Sequence, residues 1–297
     1  MPQLPASAPA AANASAPPSE PMKSPRLPAG MIGGALAGVI VLGIGVFLLV
    51  RPGTPSTPLA QPAPAPTAPS PKKAPVTPPS LGVQPRGVWT FDQLKGRTFL
   101  DSSGCGNDTV LHGDGSAWTK DGKVGAGAFL LDGSTYAEAA GPVINTAQSF
   151  TVAAWVKFFE LQNNRCETVL SVDGNEVSGF YLQYSIYAGN RLVFNRLASD
   201  SANGKPKWAK SGFIPATNIW YHLAGVYNAD AHTIALYVNG MLQQTASFTN
   251  AWPATGKLAI GRGYFQHKAD MFHSVVDDVQ VYDSALTESQ IRLLAFQ

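Results

Sequence analysis

From residue 87 to residue 282, apolar side chains repeatedly return at every second position, the period of strands with one buried face. The stretch "SFTVAAWVKF" puts Phe150, Val152, Ala154, Val156 and Phe158 on one side of an extended chain. "HTIALYVNG" does the same with Ile234, Leu236 and Val238. Its Asn239-Gly240 ending is a type I′ hairpin signal, returning through "MLQQTASF". Further strand-length segments fall at 87–91, 108–112, 127–131, 135–139, 167–172, 179–186, 191–196, 220–227, 257–261 and 275–282. "TESQIRLLAF" reads instead as a helix, with Thr287 as N-cap and Gln290 completing a capping box. Many short strands and one terminal helix predict an all-β fold, a two-sheet antiparallel jelly-roll sandwich with a short C-terminal helix.

The core-forming residues are confined to that region. Residues 81–297 hold every Trp, Tyr and Cys and all but one Phe, whereas residues 1–80 hold 19 of the 24 prolines. The spacing divides the chain into an Ala/Pro-rich disordered tail (1–29), an apolar span (30–50), a Pro-rich linker (51–85) and the β domain (86–297). "MIGGALAGVIVLGIGVFLLV", from Met31 to Val50, has the ~20 uncharged residues that a membrane helix needs. A secretory signal is the rival reading, but its apolar region is usually ~7–15 residues long. Lys23 and Arg26 precede the span and Arg51 follows it, a bias that keeps the N-terminus in the cytoplasm. The chain is therefore expected to be a single-pass cell-membrane protein with an extracytoplasmic β domain. The linker is expected to be a semi-rigid polyproline spacer. Gly30, Gly34 and Gly38 form one stripe on a helix, compatible with weak self-association or simply with the abundance of Gly in membrane helices.

Charge follows the same division. Up to residue 80 there are five Lys or Arg and one acid, and beyond it 16 bases face 18 acids, so the net +2 comes from +4 and −2. A nearly neutral domain argues against nucleic acid as partner.

Seven segments occur in order along the domain: "WTFD" (89–92), "DSSGCGNDTVLHG" (101–113), "FLLDGSTYAEA" (129–139), "SFTVAAWVKF", "WYHLAGVYN" (220–228), "ALYVNG" and "VDDVQVYDSAL". Together they resemble the laminin-G-like jelly roll of the concanavalin A-like lectin/glucanase superfamily, over residues 86–297. The resemblance implies a module that binds carbohydrate or protein, on an extracellular protein. A structural or partner-docking module without its own ligand is the alternative, and a degenerate glycoside hydrolase a third.

Asp277 shares parity with Val275, Val279 and Val281, so a carboxylate is expected where valines face a core. Buried charge must be paired, hydrogen-bonded or metal-bound. Three resolutions are open: backbone N–H donors, an inward cation, or Ca²⁺. The resemblance implies a structural calcium held by Asp277, with backbone oxygens near Phe91–Asp92 and Asp132–Gly133. The corresponding ligand set is Asp277, Asp92 and Gly133. Asp278, of opposite parity, is expected to face water.

Cys105 and Cys166 have no metal-ligand spacing, and in an exported domain a disulfide is the default. Two separate buried thiols are the other reading. The five Glu of the domain, Glu138, Glu160, Glu167, Glu176 and Glu288, do not form the carboxylate stretch of the superfamily's hydrolases, so no catalysis is expected. His222 alternates with Trp220 and Ala224 and reads as structural. Trp155 and Trp220 read as core. For a ligand, Trp208 in a lysine-rich loop and the tyrosines 181, 184 and 187 are the candidate aromatic contacts, with Trp208 and Tyr184 foremost.

Overall fold

A computed structural model describes residues 81–115 and 117–296. The expected tail, membrane span and glycine stripe, and the linker up to residue 80, lie outside the described residues. Among the described residues no helix is long and apolar enough to cross a membrane.

The first strands are β1 (Gly87–Trp89), β2 (Thr98–Phe99), β3 (Thr109–His112), β4 (Trp118–Thr119), β5 (Ala128–Leu130) and β6 (Tyr136–Ala139). The longer central ones are β7 (Phe150–Phe158), β8 (Glu167–Asp173), β9 (Ser178–Ser185), β10 (Arg191–Leu197), β11 (Pro206–Lys210) and β12 (Trp220–Asn228). Then come β13 (Thr233–Val238), β14 (Met241–Ser247), β15 (Leu258–Ile260), β16 (Gly263–Tyr264), β17 (Lys268–Ala269) and β18 (Ser274–Tyr282), and the helix α1 (Glu288–Ala295). Two eight-stranded sheets form. The first runs β14-β13-β12-β7-β18-β5-β4, with β1 also paired to β18. The second runs β11-β10-β9-β8-β15-β6-β3-β2. The hairpin β16–β17 is a separate ribbon.

The expected periodicity builds the core. Phe150, Val152, Ala154, Val156 and Phe158 meet Phe180, Leu182, Leu192 and Phe194 between the sheets. Burying each such side chain contributes about 1.5–3 kcal/mol. Arg196 also lies in this interior, fully buried. Its Nε donates to Gly179 O (2.9 Å) and Nη2 to Thr146 O (2.6 Å), with the guanidinium over the rings of Tyr227 and Phe248. Asn239 and Gly240 have φ of 50° and 76°, the two positive values that a type I′ turn requires. The helix carries its capping box at Thr287 and Gln290. It packs its Ile291 and Leu294 against Ala153, Ala224 and Val226 on the outer face of the first sheet. Leu81 and Val83 join that cluster, and Gln290 Nε2 donates to Leu81 O (2.7 Å).

The parity expected for β18 fails at one place. Asp277 pairs with Trp155 but Gln280 pairs with Ala153, so Asp278 and Val279 together oppose a single residue. Asp278 sits at φ 43°, the bulged position. The bulge moves Val279 and Val281 into the core beside Val276, and leaves Asp277 on the outer face. Asp277 is nevertheless fully buried, because the segment before β5 covers it.

The cysteines correct a second expectation. Both are free: Cys105 is exposed in the loop between β2 and β3, and Cys166 is buried at the start of β8. Cys105 Sγ lies 3.7 Å from Pro85 O, whereas Cys166 Sγ lies 3.4 Å from Ser185 Oγ on the neighbouring strand β9. The two thiols have different local partners and form no bridge. Burial pushes the Cys166 thiol up, keeping it protonated.

Candidate binding site

Strands β8 to β11 present their second face away from the core. On β9, Leu182 and Tyr184 point inward, so Tyr181, Gln183 and Ser185 point outward. On β10 the same alternation turns Asn195 and Leu197 outward, and on β11 Trp208 lies opposite Asn195. Polar side chains link the strands: Thr168 Oγ1 donates to Gln183 Oε1 (2.8 Å), and Gln183 Nε2 donates to Asn195 Oδ1 (3.2 Å).

Two walls rise from this floor. The β16–β17 ribbon supplies Phe265 and is followed by Asp270; it is fastened where Tyr181 Oη donates to Tyr264 O (2.6 Å). Trp208, Pro206 and Tyr187 form the other wall, where Tyr187 is 79% exposed. The space between them measures about 370 Å³, within the range of small-ligand sites. Two shallower depressions of about 400 Å³ each continue it along β11, past Lys207 to Lys210 and Arg191. Aromatic walls over an amide floor can stack an apolar sugar face and hydrogen-bond its hydroxyls.

Trp208 belongs to this trough, but on the edge strand β11 rather than in a loop. Pro206 and its lysines hide the strand from a period-2 reading, since edge strands tolerate both. Tyr184 is a correction: it is 1% exposed and packs in the core against Phe158, on the opposite face from Tyr181. Gln183, Asn195, Phe265 and Asp270 escaped sequence reasoning. The first two carried a signal, as the single amides of the strand segments "GFYLQYS" and "RLVFNRL".

The ribbon is held by a buried ion network. Arg262 reaches Asp173 with both guanidinium nitrogens (2.8 and 2.7 Å) and Glu138 Oε1 with Nη2 (2.7 Å). Lys257 (2.9 Å), His112 (3.2 Å) and Lys268 (3.4 Å) also approach Glu138. Burial acts to raise the Glu138 carboxyl, but the hydrogen bonds of Lys257 and Arg262 outweigh it and hold it at about 2. Glu167, facing inward beside Tyr184, has neither oxygen hydrogen-bonded, and the nearest cation is Arg165 at 3.6 Å. Burial raises it to about 7.

The residues named for calcium are placed as follows. Asp277 Oδ2 accepts from the amides of Lys123 (2.7 Å) and Val124 (2.9 Å), and Oδ1 from Asp278 N (2.8 Å). Asp92 Oδ1 accepts from Ala126 N and Gly127 N on the same segment. Gly133 lies apart from these contacts: its N–H donates to Phe272 O, and a Cβ there would meet Arg165 and His273. Among the described residues no three His, Cys, Asp or Glu are grouped to hold a metal. Three backbone amides thus meet the buried Asp277 carboxylate. Asp278, expected in water, is buried and accepts from Gln280 Nε2 (2.7 Å). His222 is buried against Trp155, ring centroids 5.3 Å apart, and burial pushes its pKa down to about 4, so it stays neutral.

Two antiparallel sheets of this order, closed by a final strand and carrying an open trough on one face, define a jelly roll of the lectin type. The chain belongs to the concanavalin A-like lectin/glucanases superfamily, whose laminin G model matches residues 131–292, more than half of its length. No curated protein matches the chain. Among solved structures it is similar to domain 4 of AbnA, an extracellular arabinanase from Geobacillus stearothermophilus, in complex with arabinotriose. That match has 21% identity and a TM-score of 0.56, covering 71% of this chain and 98% of that one. It is also similar to the receptor binding domain of botulinum neurotoxin type G, with 16% identity and a TM-score of 0.52 over 72% of this chain and 51% of that one. The binding domain of botulinum neurotoxin DC in complex with SialylT matches at 16% identity and a TM-score of 0.53, over 73% and 52%. At these identities the likeness is one of fold.

Proposed function

We propose that the domain is a non-catalytic carbohydrate-binding module, presented outside the cell on a chain anchored by residues 30–50. The observation that carries this reading is the trough itself, where Trp208 and Tyr187 stand over the hydrogen-bonding floor of Gln183 and Asn195. The described solved relatives include one bound to arabinotriose and one to SialylT, which supports a sugar over a purely structural role. Asp270 is the one carboxylate lining the cavity, whereas glycoside cleavage needs two, which supports binding without hydrolysis.

A glycan array probed with the full-length chain tests the proposal. Trp208→Ala is expected to weaken binding of the best saccharide by about 2 kcal/mol, roughly thirtyfold, because it removes an aromatic anchor. Absence of any saccharide signal, or binding indifferent to Trp208→Ala, overturns the reading. Protease accessibility of the domain on intact cells tests its location.

A further inference from the structure

The trough has a charged end as well as an aromatic one. Between Glu176 and Asp270 the chain has eight Lys and Arg against four acids, Glu176, Asp200, Asp230 and Asp270, of which only Asp270, at the aromatic end, lines the trough. Asp200 is already engaged, accepting the amides of Asn175, Glu176 and Val177. Of the eight bases, Arg196 is sealed in the core, and Lys257, Arg262 and Lys268 surround Glu138. The other four are Arg191, Lys205, Lys207 and Lys210. Among the described residues none of these four has a carboxylate within ion-pair distance.

Geometry places three of the four along the trough. Lys210 pairs with Val193 as Trp208 pairs with Asn195, so Lys210 and Trp208 share a face of β11. Arg191, two residues before Val193 on β10, shares that face and borders the same end, where Nη1 donates to Ser211 O (3.0 Å). Lys207 lines the middle depression beside Trp208 and Tyr187. The three depressions are continuous: the first two share Trp208, Pro206 and Tyr187, and the last two share Lys210 and Gln244. A ligand stacked on Trp208 and extended along β11 therefore runs onto unpaired positive charge.

We propose that the trough selects an anionic oligosaccharide, one bearing carboxylate or sulfate groups, with its sugar faces on Trp208 and its acidic groups at Lys207, Lys210 and Arg191. This inference rests on the carbohydrate-binding reading above. Unpaired cations favour an acidic chain twice over: they attract it at long range, and they form charge-assisted hydrogen bonds on contact. Solvent-exposed lysines act within a Debye length of about 8–10 Å, so the preference must fade with salt.

The test titrates the full-length chain with three probes of matched length: oligogalacturonate, sulfated dextran oligomers and neutral dextran oligomers. At low salt at least one acidic probe is expected to bind about tenfold more tightly than the neutral one, and that advantage should shrink at 1 M salt. The carboxylate and sulfate arms identify which anion is preferred. Lys207→Gln with Lys210→Gln should abolish the acidic advantage, bringing the acidic probe to the affinity of the neutral one, while Trp208→Ala weakens both. Equal affinity for acidic and neutral probes, or an acidic advantage that survives the double substitution, overturns this inference and leaves the carbohydrate reading standing. No binding of any saccharide overturns both. A single-stranded oligonucleotide that binds more tightly than every saccharide also overturns it, in favour of nucleic acid as the polyanion.

Discussion

Replacing Arg262 with alanine is expected to lower the unfolding free energy by about 3–5 kcal/mol, the magnitude of removing one partner from a buried ion pair. Arg262 is fully buried, and its guanidinium holds Asp173 through two hydrogen bonds and Glu138 through a third. Without it, Glu138 keeps only Lys257, Lys268 and His112, and Asp173 loses both bonds. Arg262→Lys should recover little, because an ammonium cannot reproduce the planar two-point contact with Asp173. Arg262 also begins the ribbon whose Phe265 walls the trough, so ligand affinity should fall along with stability. Denaturant melts measure the first effect and saccharide titration the second; a loss below about 1 kcal/mol would contradict this account. The network also sets an acid limit. Glu138 is held at about 2, below its usual 4.5, so its contribution is present above about 4.5 and is lost as pH falls through 2.

Asp277→Ala is the second large effect, expected to be about 2–4 kcal/mol. The substitution leaves the part-buried amides of Lys123 and Val124 without their acceptor, and an unmet donor shut off from water costs about 1–3 kcal/mol. Its signature differs from that of Arg262 in pH. Burial raises Asp277 to about 6, against the opposing amide bonds, and raises Glu167 to about 7. Both folded values lie above the ordinary ones of 3.8 and 4.5, so the stability they confer is full below about 4 and is lost as pH rises through 6 and 7. Buried His222, lowered to about 4, acts in the opposite sense up to about 6.5, so the melting temperature should decline between about pH 6.5 and pH 8, and Glu167→Gln should flatten that decline. A melting temperature that rises over this interval would refute the assignment. Running the same melts with a chelator addresses calcium: a curve that shifts would add a cation to Asp277, and an unchanged one leaves the amides as its partners.

The strands were legible because burial between two sheets enforces alternation, and nearly every long element falls where the period places it. The expected face of Asp277 was misread for a local reason. One extra residue at Asp278 reverses parity within β18, and neither Asp-Asp nor its valines announce a bulge. β11 was hidden because an edge strand can carry Pro206 and alternate lysines, a pattern that also describes a loop. Parity separated Tyr184 from Tyr181 and Tyr187, but one strand cannot say which parity is inward. The trough was beyond local reading altogether. Its floor and walls come from residues between Cys166 and Asp270, and only the register of four strands and the folding-over of a ribbon bring them together.

The chain enters the domain beside α1, where Leu81 is held by Gln290, on the outer face of the first sheet; the trough opens on the outer face of the second. Handle and grip are thus on opposite sides of the sandwich. Tension between a captured ligand and whatever holds the chain upstream of Leu81 must pass through the thickness of the core. It enters by the Leu81 clasp and β1, whose three residues are laddered to Val279, Gln280 and Val281 on β18. The short strand β1, rather than the trough, is where this domain should first give way under load.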